Sequence, residues 1–211
     1  MGATVRRGLR VIGLLAVLGA ACAPAAAPAA GKPAVANVAI GKPSTRLPAS
    51  FFGLSIEYDE LPIYERFLPA FERVLGLLKV SGNGPQVVRI GGNSADLTFW
   101  NPGSARVPGD AYVLTSSWFA QLSQLIADAR LHVLLDLNLK TGTPGEARGL
   151  VQEAQSQFPG GSLAGLEIGN EPDQYGHGYS PASYVAAFKS YAQALHAVAP
   201  GVPLLGPAPT S

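Results

Sequence analysis

The sequence is poor in charge, in histidine, in cysteine and in long apolar runs, and each shortage closes off a class of function. Only 14% of the 211 residues are charged and the formal net charge is +1, with Lys and Arg scattered rather than gathered into a stripe. Proteins that neutralise phosphate backbones carry such a stripe, so no nucleic acid is expected as a partner. The three histidines, His132, His177 and His196, are dispersed, and none has a second ligand at zinc spacing. They read as a strand-start residue, a loop residue near a cleft and a helix-face residue, and no metal is expected. A phosphate-cradling loop is also missing: Ser81-Gly82-Asn83-Gly84-Pro85 precedes a predicted strand, whereas such a loop opens a helix whose amides face the anion. No nucleotide or other cofactor is implied.

The apolar run at residues 11–21 is too short to span a bilayer stably and follows Arg6, Arg7 and Arg10, so residues 1–22 read as an export signal. The single cysteine, Cys22, closes that segment in the context L-G-A-A-C, which resembles the lipobox of bacterial lipoproteins. Two outcomes stay open, acylation at Cys22 and ordinary cleavage among the neighbouring alanines, and the first is favoured. The chain is thus expected to be exported, as a periplasmic or cell-surface protein whose contact with membrane is at most a lipid anchor. Residues 23–34 are nearly all Ala and Pro, with nothing to bury, and read as an extended tether. A short strand is expected at 35–40, within a segment 35–48 set apart from the main unit that starts at residue 51.

What the chain has in quantity is apolar residues, 47% of the total, enough for one sizeable core. From residue 51 they fall into a strand-helix rhythm. Strands are predicted at 51–57, 86–91, 132–140, 163–169 and 202–205. Helices are predicted at 64–79, 116–130, 144–158 and 181–198, the second capped by Ser116 or Ser117 and the last opening on Ser180-Pro181. Strands alternating with helices in this way predict a parallel sheet with right-handed crossovers. Polar residues stand at the C-terminal ends of the strands: Glu57, Asn93, Asn138 and Glu171. That coincidence favours an α/β fold of (β/α)8 TIM-barrel type, in which all strand tips converge on one mouth. Eight strands close such a barrel, so residues 51–211, with about five, form an incomplete one.

The stretch 163–175, L-A-G-L-E-I-G-N-E-P-D-Q-Y, is the most informative. A buried strand stops on Asn170-Glu171, and Pro172 forbids further pairing. Taken alone, N-E-P-D is also an ordinary polar turn. Alternation along the strands puts Arg89 with Asn93 on one face and Glu167 with Glu171 on another strand's same face, so Arg89 and Glu167 are expected to pair inside the barrel in a structural role. Trp100, Trp118 and Tyr175 are candidates for a sugar-stacking platform, although Trp118, at helical spacing, reads more simply as core.

Four ordered motifs, F-F-G-L-S-I-E at strand one, V-V-R-I-G-G-N-S-A-D at strand two, L-N-L-K-T-G-T-P after strand three and G-L-E-I-G-N-E-P-D at strand four, together resemble glycoside hydrolase family 79. This is the family of bacterial β-glucuronidases and heparanase, within a clan of (β/α)8-barrel retaining glycosidases. The resemblance spans residues 51–205 and implies a carbohydrate substrate, a glucuronide among the possibilities. It further implies that Glu171 is the acid/base, that Asn170 bonds the sugar 2-hydroxyl, and that Glu57 and Asn93, with Tyr58 and Ser94 beside them, bind substrate. The family's nucleophile lies at strand seven, for which no match exists here, so little or no hydrolase activity is expected of this chain alone. Rival readings are a carbohydrate-binding lipoprotein, a non-functional remnant, and a clan-related arabinofuranosidase or β-xylosidase.

Overall fold

A computed structural model of the chain describes residues 51–79, 85–100, 107–176 and 179–210. The expected export signal, Cys22, the tether and the strand at 35–40 lie outside the described residues, as does His177. Along the chain the elements run β1 (Leu54–Ile56), α1 (Leu61–Arg66), α2 (Leu68–Leu78), β2 (Gln86–Ile90), β3 (Thr98–Trp100), β4 (Tyr112–Leu114), α3 (Ser116–Ala129), β5 (Leu131–Leu137), α4 (Pro144–Gln157), β6 (Leu163–Ile168), α5 (Pro181–His196) and β7 (Leu204–Leu205). Short 3-10 turns occupy Asn93–Leu97 and Pro172–Gln174.

Five strands make one sheet in the order β1-β2-β5-β6-β7, every pair parallel. The order rises along the sheet without reversal. In a doubly wound sheet it would reverse; here right-handed crossovers bring every connecting helix to the same face. The sheet is open, with β1 and β7 at its edges, so these strands alone close no barrel.

The two faces differ because the strand period is two. Ile56, Val88, Ile90, Leu135, Leu137, Leu166 and Ile168 are all buried on one face. They share a single core with Phe71, Leu75, Phe119, Leu122, Ile126, Val151 and Leu195 of the helices. Burying each such side chain contributes about 1.5–3 kcal/mol. The registers Ser55↔Arg89, Arg89↔Leu134 and Asp136↔Glu167 line up the opposite face, which therefore carries an arginine and two carboxylates.

Where local structure departs from expectation, the reasons are specific. The single helix expected at 64–79 is two, broken at Phe67 (φ −114°), because Pro69 has no N–H to continue the ladder. The first strand is shorter than 51–57, and the third ends at Leu137 rather than residue 140. The cap of α3 is Thr115, whose hydroxyl accepts from the Trp118 N–H, rather than Ser116 or Ser117. Thr143 caps α4 in the same way, accepting from the Glu146 N–H and donating to its carboxylate. The Ser180 cap and Pro181 first turn of α5 are as expected. A second, two-stranded parallel sheet, β3 with β4, stands where only loop was expected.

Candidate functional site

The C-terminal ends of β1, β2, β5 and β6 gather the polar residues of the chain. β1 ends on Glu57, whose carboxylate accepts from the N–H and hydroxyl of Ser94 at 2.7 and 2.5 Å and from the Asn93 N–H at 3.2 Å. It thereby fixes the turn that follows β2. Gly92 is required there: at φ 94° a Cβ would lie 2.2 Å from Glu57 Oε1. The Ser94 hydroxyl also accepts from the Tyr58 N–H at 2.8 Å.

Tyr58 belongs to the floor rather than to any surface a substrate could reach. It is 0% exposed, lies stacked on Trp118, and donates its hydroxyl to the Asp136 carbonyl at 2.7 Å, while its own carbonyl accepts from the Trp118 indole at 2.9 Å. Trp118 is thus core, and Trp100 packs edge-on against Phe119. The Tyr175 ring has the Lys140 ammonium 5.4 Å from its centroid and Tyr179 against its edge.

Arg89 on β2 ties the strands together beneath their C-terminal ends. Its guanidinium donates to Glu167 on β6 at 2.5 Å, to Asp136 on β5 at 2.9 Å, to Ser55 on β1 at 3.2 Å, and to Asn170 Oδ1 at 3.1 Å. The Arg89–Glu167 pairing read from strand alternation is therefore present, and it extends further than expected. With Oδ1 held by Arg89, the Asn170 amide turns its Nδ2 toward Asn93 Oδ1, 3.3 Å away. Asn170 is itself buried and bridges in parallel to Ala208. Burial pushes the Asp136 carboxyl well above the usual carboxylate range, against the pull of Arg89, and Glu167 adds to the rise. One Asp136 oxygen, Oδ1, is buried without a partner among the described residues.

Glu171 follows Asn170 in a left-handed conformation, φ 44° and ψ 53°, a region few non-glycine residues occupy. Its N–H donates to the Ala208 carbonyl and its carbonyl accepts from the Gln174 N–H, each at 2.8 Å. Its half-buried carboxylate takes part in none of the ion pairs or side-chain hydrogen bonds among the described residues. Asn138 is the opposite case. Its Oδ1 accepts from the N–H groups of Thr141 and Gly142 at 2.9 and 3.0 Å, and its Nδ2 donates to the Thr98 carbonyl at 3.2 Å. The turn after β5 uses it completely.

A second polar group went unread in the sequence. Asp96, buried on the turn after β2, accepts from the Tyr175 hydroxyl at 2.9 Å and from Lys140 at 3.3 Å. Burial raises its carboxyl above the usual range, with the Tyr175 bond and the Lys140 charge pulling the other way. The signal was available in N-S-A-D and L-N-L-K, but only the fold shows that they meet. The structure brings Glu57, Asn93, Ser94 and Asn170 into direct contact, sets Glu171 next to them, and leaves Tyr58 underneath. No group of three His, Cys, Asp or Glu among the described residues could hold a metal ion.

No protein-family model and no curated protein matches this sequence. Among solved structures, the chain is similar to a 4-O-α-L-rhamnosyl-β-D-glucuronidase from Fusarium oxysporum 12S, crystallised as a complex with Rha-GlcA. The TM-score is 0.56 at 18% identity, covering 69% of this chain and 34% of that one. The chain thus spans about a third of that enzyme's length and shares its fold over the matched part.

Proposed function

We propose that the chain carries the acid/base half of a retaining glycoside hydrolase site of β-glucuronidase type, built on part of a (β/α)8 barrel. The observation that carries this reading is the tip of β6. There Asn170 has its amide aligned by Arg89 and Asn93, beside a Glu171 whose carboxylate is free of side-chain partners among the described residues. Retaining hydrolysis uses two carboxyls about 5–5.5 Å apart, one protonating the leaving oxygen and the other attacking the anomeric carbon. Glu171 takes the first part: it gives its proton to the glycosidic oxygen, then draws one from the water that releases the sugar. Asn170 holds the 2-hydroxyl, a bond that strengthens as positive charge builds on the ring. Glu57, Asp96, Asp136 and Glu167 are each engaged by amides, hydroxyls or cations, so in this reading none is the nucleophile, which comes from a strand other than these five. The likeness to a glucuronidase fold supports the reading, and the Rha-GlcA bound to that enzyme supports an acidic sugar.

The test is a titration of the purified, isotope-labelled chain with methyl β-D-glucuronide followed by amide NMR. Shifts are expected at Asn93, Asn170 and Glu171, together with no turnover of an aryl β-glucuronide. A saccharide that perturbs none of the three amides sinks the reading, and turnover by this chain alone overturns the placement of the nucleophile.

A further inference from the structure

Glu171 holds a backbone conformation that is unfavourable for any residue with a side chain, and such residues persist only where their surroundings over-determine them. One restraint is the bond from its N–H to Ala208. A second lies in the turn Pro172–Gln174, where the Asp173 carboxylate accepts from the N–H of Thr210 at 3.2 Å and from its hydroxyl, and the Gln174 amide donates to that hydroxyl at 3.0 Å, so the near side of the loop is tied to the segment after β7. The far end is fixed four residues on, at Tyr175. Its hydroxyl reaches back across the mouth to Asp96, 79 positions earlier in sequence, at 2.9 Å.

Three features make room for that bond. Gly169, at φ 86°, leaves the space: a Cβ there would come within 3.0 Å of the Tyr175 hydroxyl and 2.6 Å of Leu139 Cδ2. Lys140 bonds the other Asp96 oxygen and lies over the Tyr175 ring. The Thr141 hydroxyl donates to the Asp96 carbonyl at 2.5 Å, tying the turn after β5 into the same knot. The loops after β2, β5 and β6 therefore meet at one buried carboxylate that touches neither Asn170 nor Glu171.

We propose that Asp96 and Tyr175 are positioning residues for Glu171: their bond closes the 171–175 loop and holds the acid/base carboxyl at the strand tip. The catalytic meaning of this lock rests on the glycosidase reading above, whereas its geometry does not.

The experiment is amide hydrogen exchange by NMR on the full chain and three variants, Tyr175→Phe, Asp96→Asn and Asp96→Ala, with methyl β-D-glucuronide titrated into each. Tyr175→Phe keeps the ring, and Asp96→Asn keeps an oxygen that can accept from the tyrosine. Losing a net hydrogen bond corresponds to about a tenfold change in an opening equilibrium. Exchange at Glu171 and Gln174 should thus quicken about tenfold in Tyr175→Phe and Asp96→Ala, stay near wild type in Asp96→Asn, and leave the core amides of β5 unchanged. Wild-type exchange in Tyr175→Phe overturns the lock. So does equal quickening at β5, which would mean general loss of stability. A wild type whose amides ignore the glucuronide overturns the glycosidase reading, and with it the catalytic meaning, while the exchange pattern still judges the geometry separately.

Discussion

The tips of β5 and β6 are neighbours in the sheet and look alike in sequence, each an apolar strand that ends on a polar residue. Asn138 and Glu171 nevertheless do different things. Every polar atom of the Asn138 side chain is bonded into the turn it begins, and its carbonyl accepts from the Tyr191 hydroxyl at 2.7 Å. The Glu171 carboxylate has no bond among the described residues, although the backbone around it is held on both sides. Position at a strand tip therefore does not mark a functional group. What separates the two tips is that the Glu171 carboxylate is left without a side-chain partner among the described residues, which is why the proposed function rests on it rather than on Asn138.

The contrast would be erased most completely at what both tips stand on. Arg89→Met is expected to cost about 3–5 kcal/mol, since Asp136 under one tip and Glu167 under the other would be left as unpaired carboxylates in a largely buried setting. Urea denaturation measures this, and a loss below 1 kcal/mol would mean that solvent already screens the pair. Asn138→Ala and Glu171→Gln separate the two tips directly. The first is expected to cost about 2 kcal/mol, for amides and a carbonyl left without partners, and the second less than about 0.5 kcal/mol. Thermal melts that rank them the other way would show that the Glu171 carboxyl is a structural group.

The last effect is in pH dependence. Burial raises the Asp136 carboxyl in the folded state, so the folded chain binds the proton more tightly than the unfolded one. That contribution is fully present below the unfolded value of about 3.9 and is lost as pH rises through the folded value. Compared with Asp136→Asn, which does not titrate, wild type should therefore gain relative stability as pH falls from 7 toward 4. A gap between the two denaturation curves that stays constant with pH would show that Arg89 holds Asp136 ionised throughout.

The parallel sheet and the order of its strands were legible because the apolar runs recur with helices between them, and the Ser180-Pro181 start of α5 follows from local chemistry alone. The Phe67 break was readable too, since Pro69 cannot continue a helix, but the spacing of Phe67, Leu68, Phe71 and Val74 concealed it. β3 and β4 were not readable: three-residue strands carry no period, and their pairing is non-local. At the site, Glu57, Asn93 and Asn170 stood out as strand-tip residues, and alternation along the strands paired Arg89 with Glu167. Alternation could not show that the arginine also reaches Asn170, because that depends on the register of β2 on β5 and of β5 on β6. Tyr58 looked like a neighbour of the site, yet the residue after Glu57 points to the opposite face of the strand, where Trp118 waits.

The unreversed order of the sheet bears on how the molecule is made. Within the five-stranded sheet each strand pairs with the sheet strand synthesised before it, β2 on β1, β5 on β2, β6 on β5 and β7 on β6. A ribosome releasing this chain therefore always presents the next strand to an edge that is already in place, and domains tend to form from the N-terminal side as they emerge. No strand has to wait for a later one and then be inserted between two earlier neighbours.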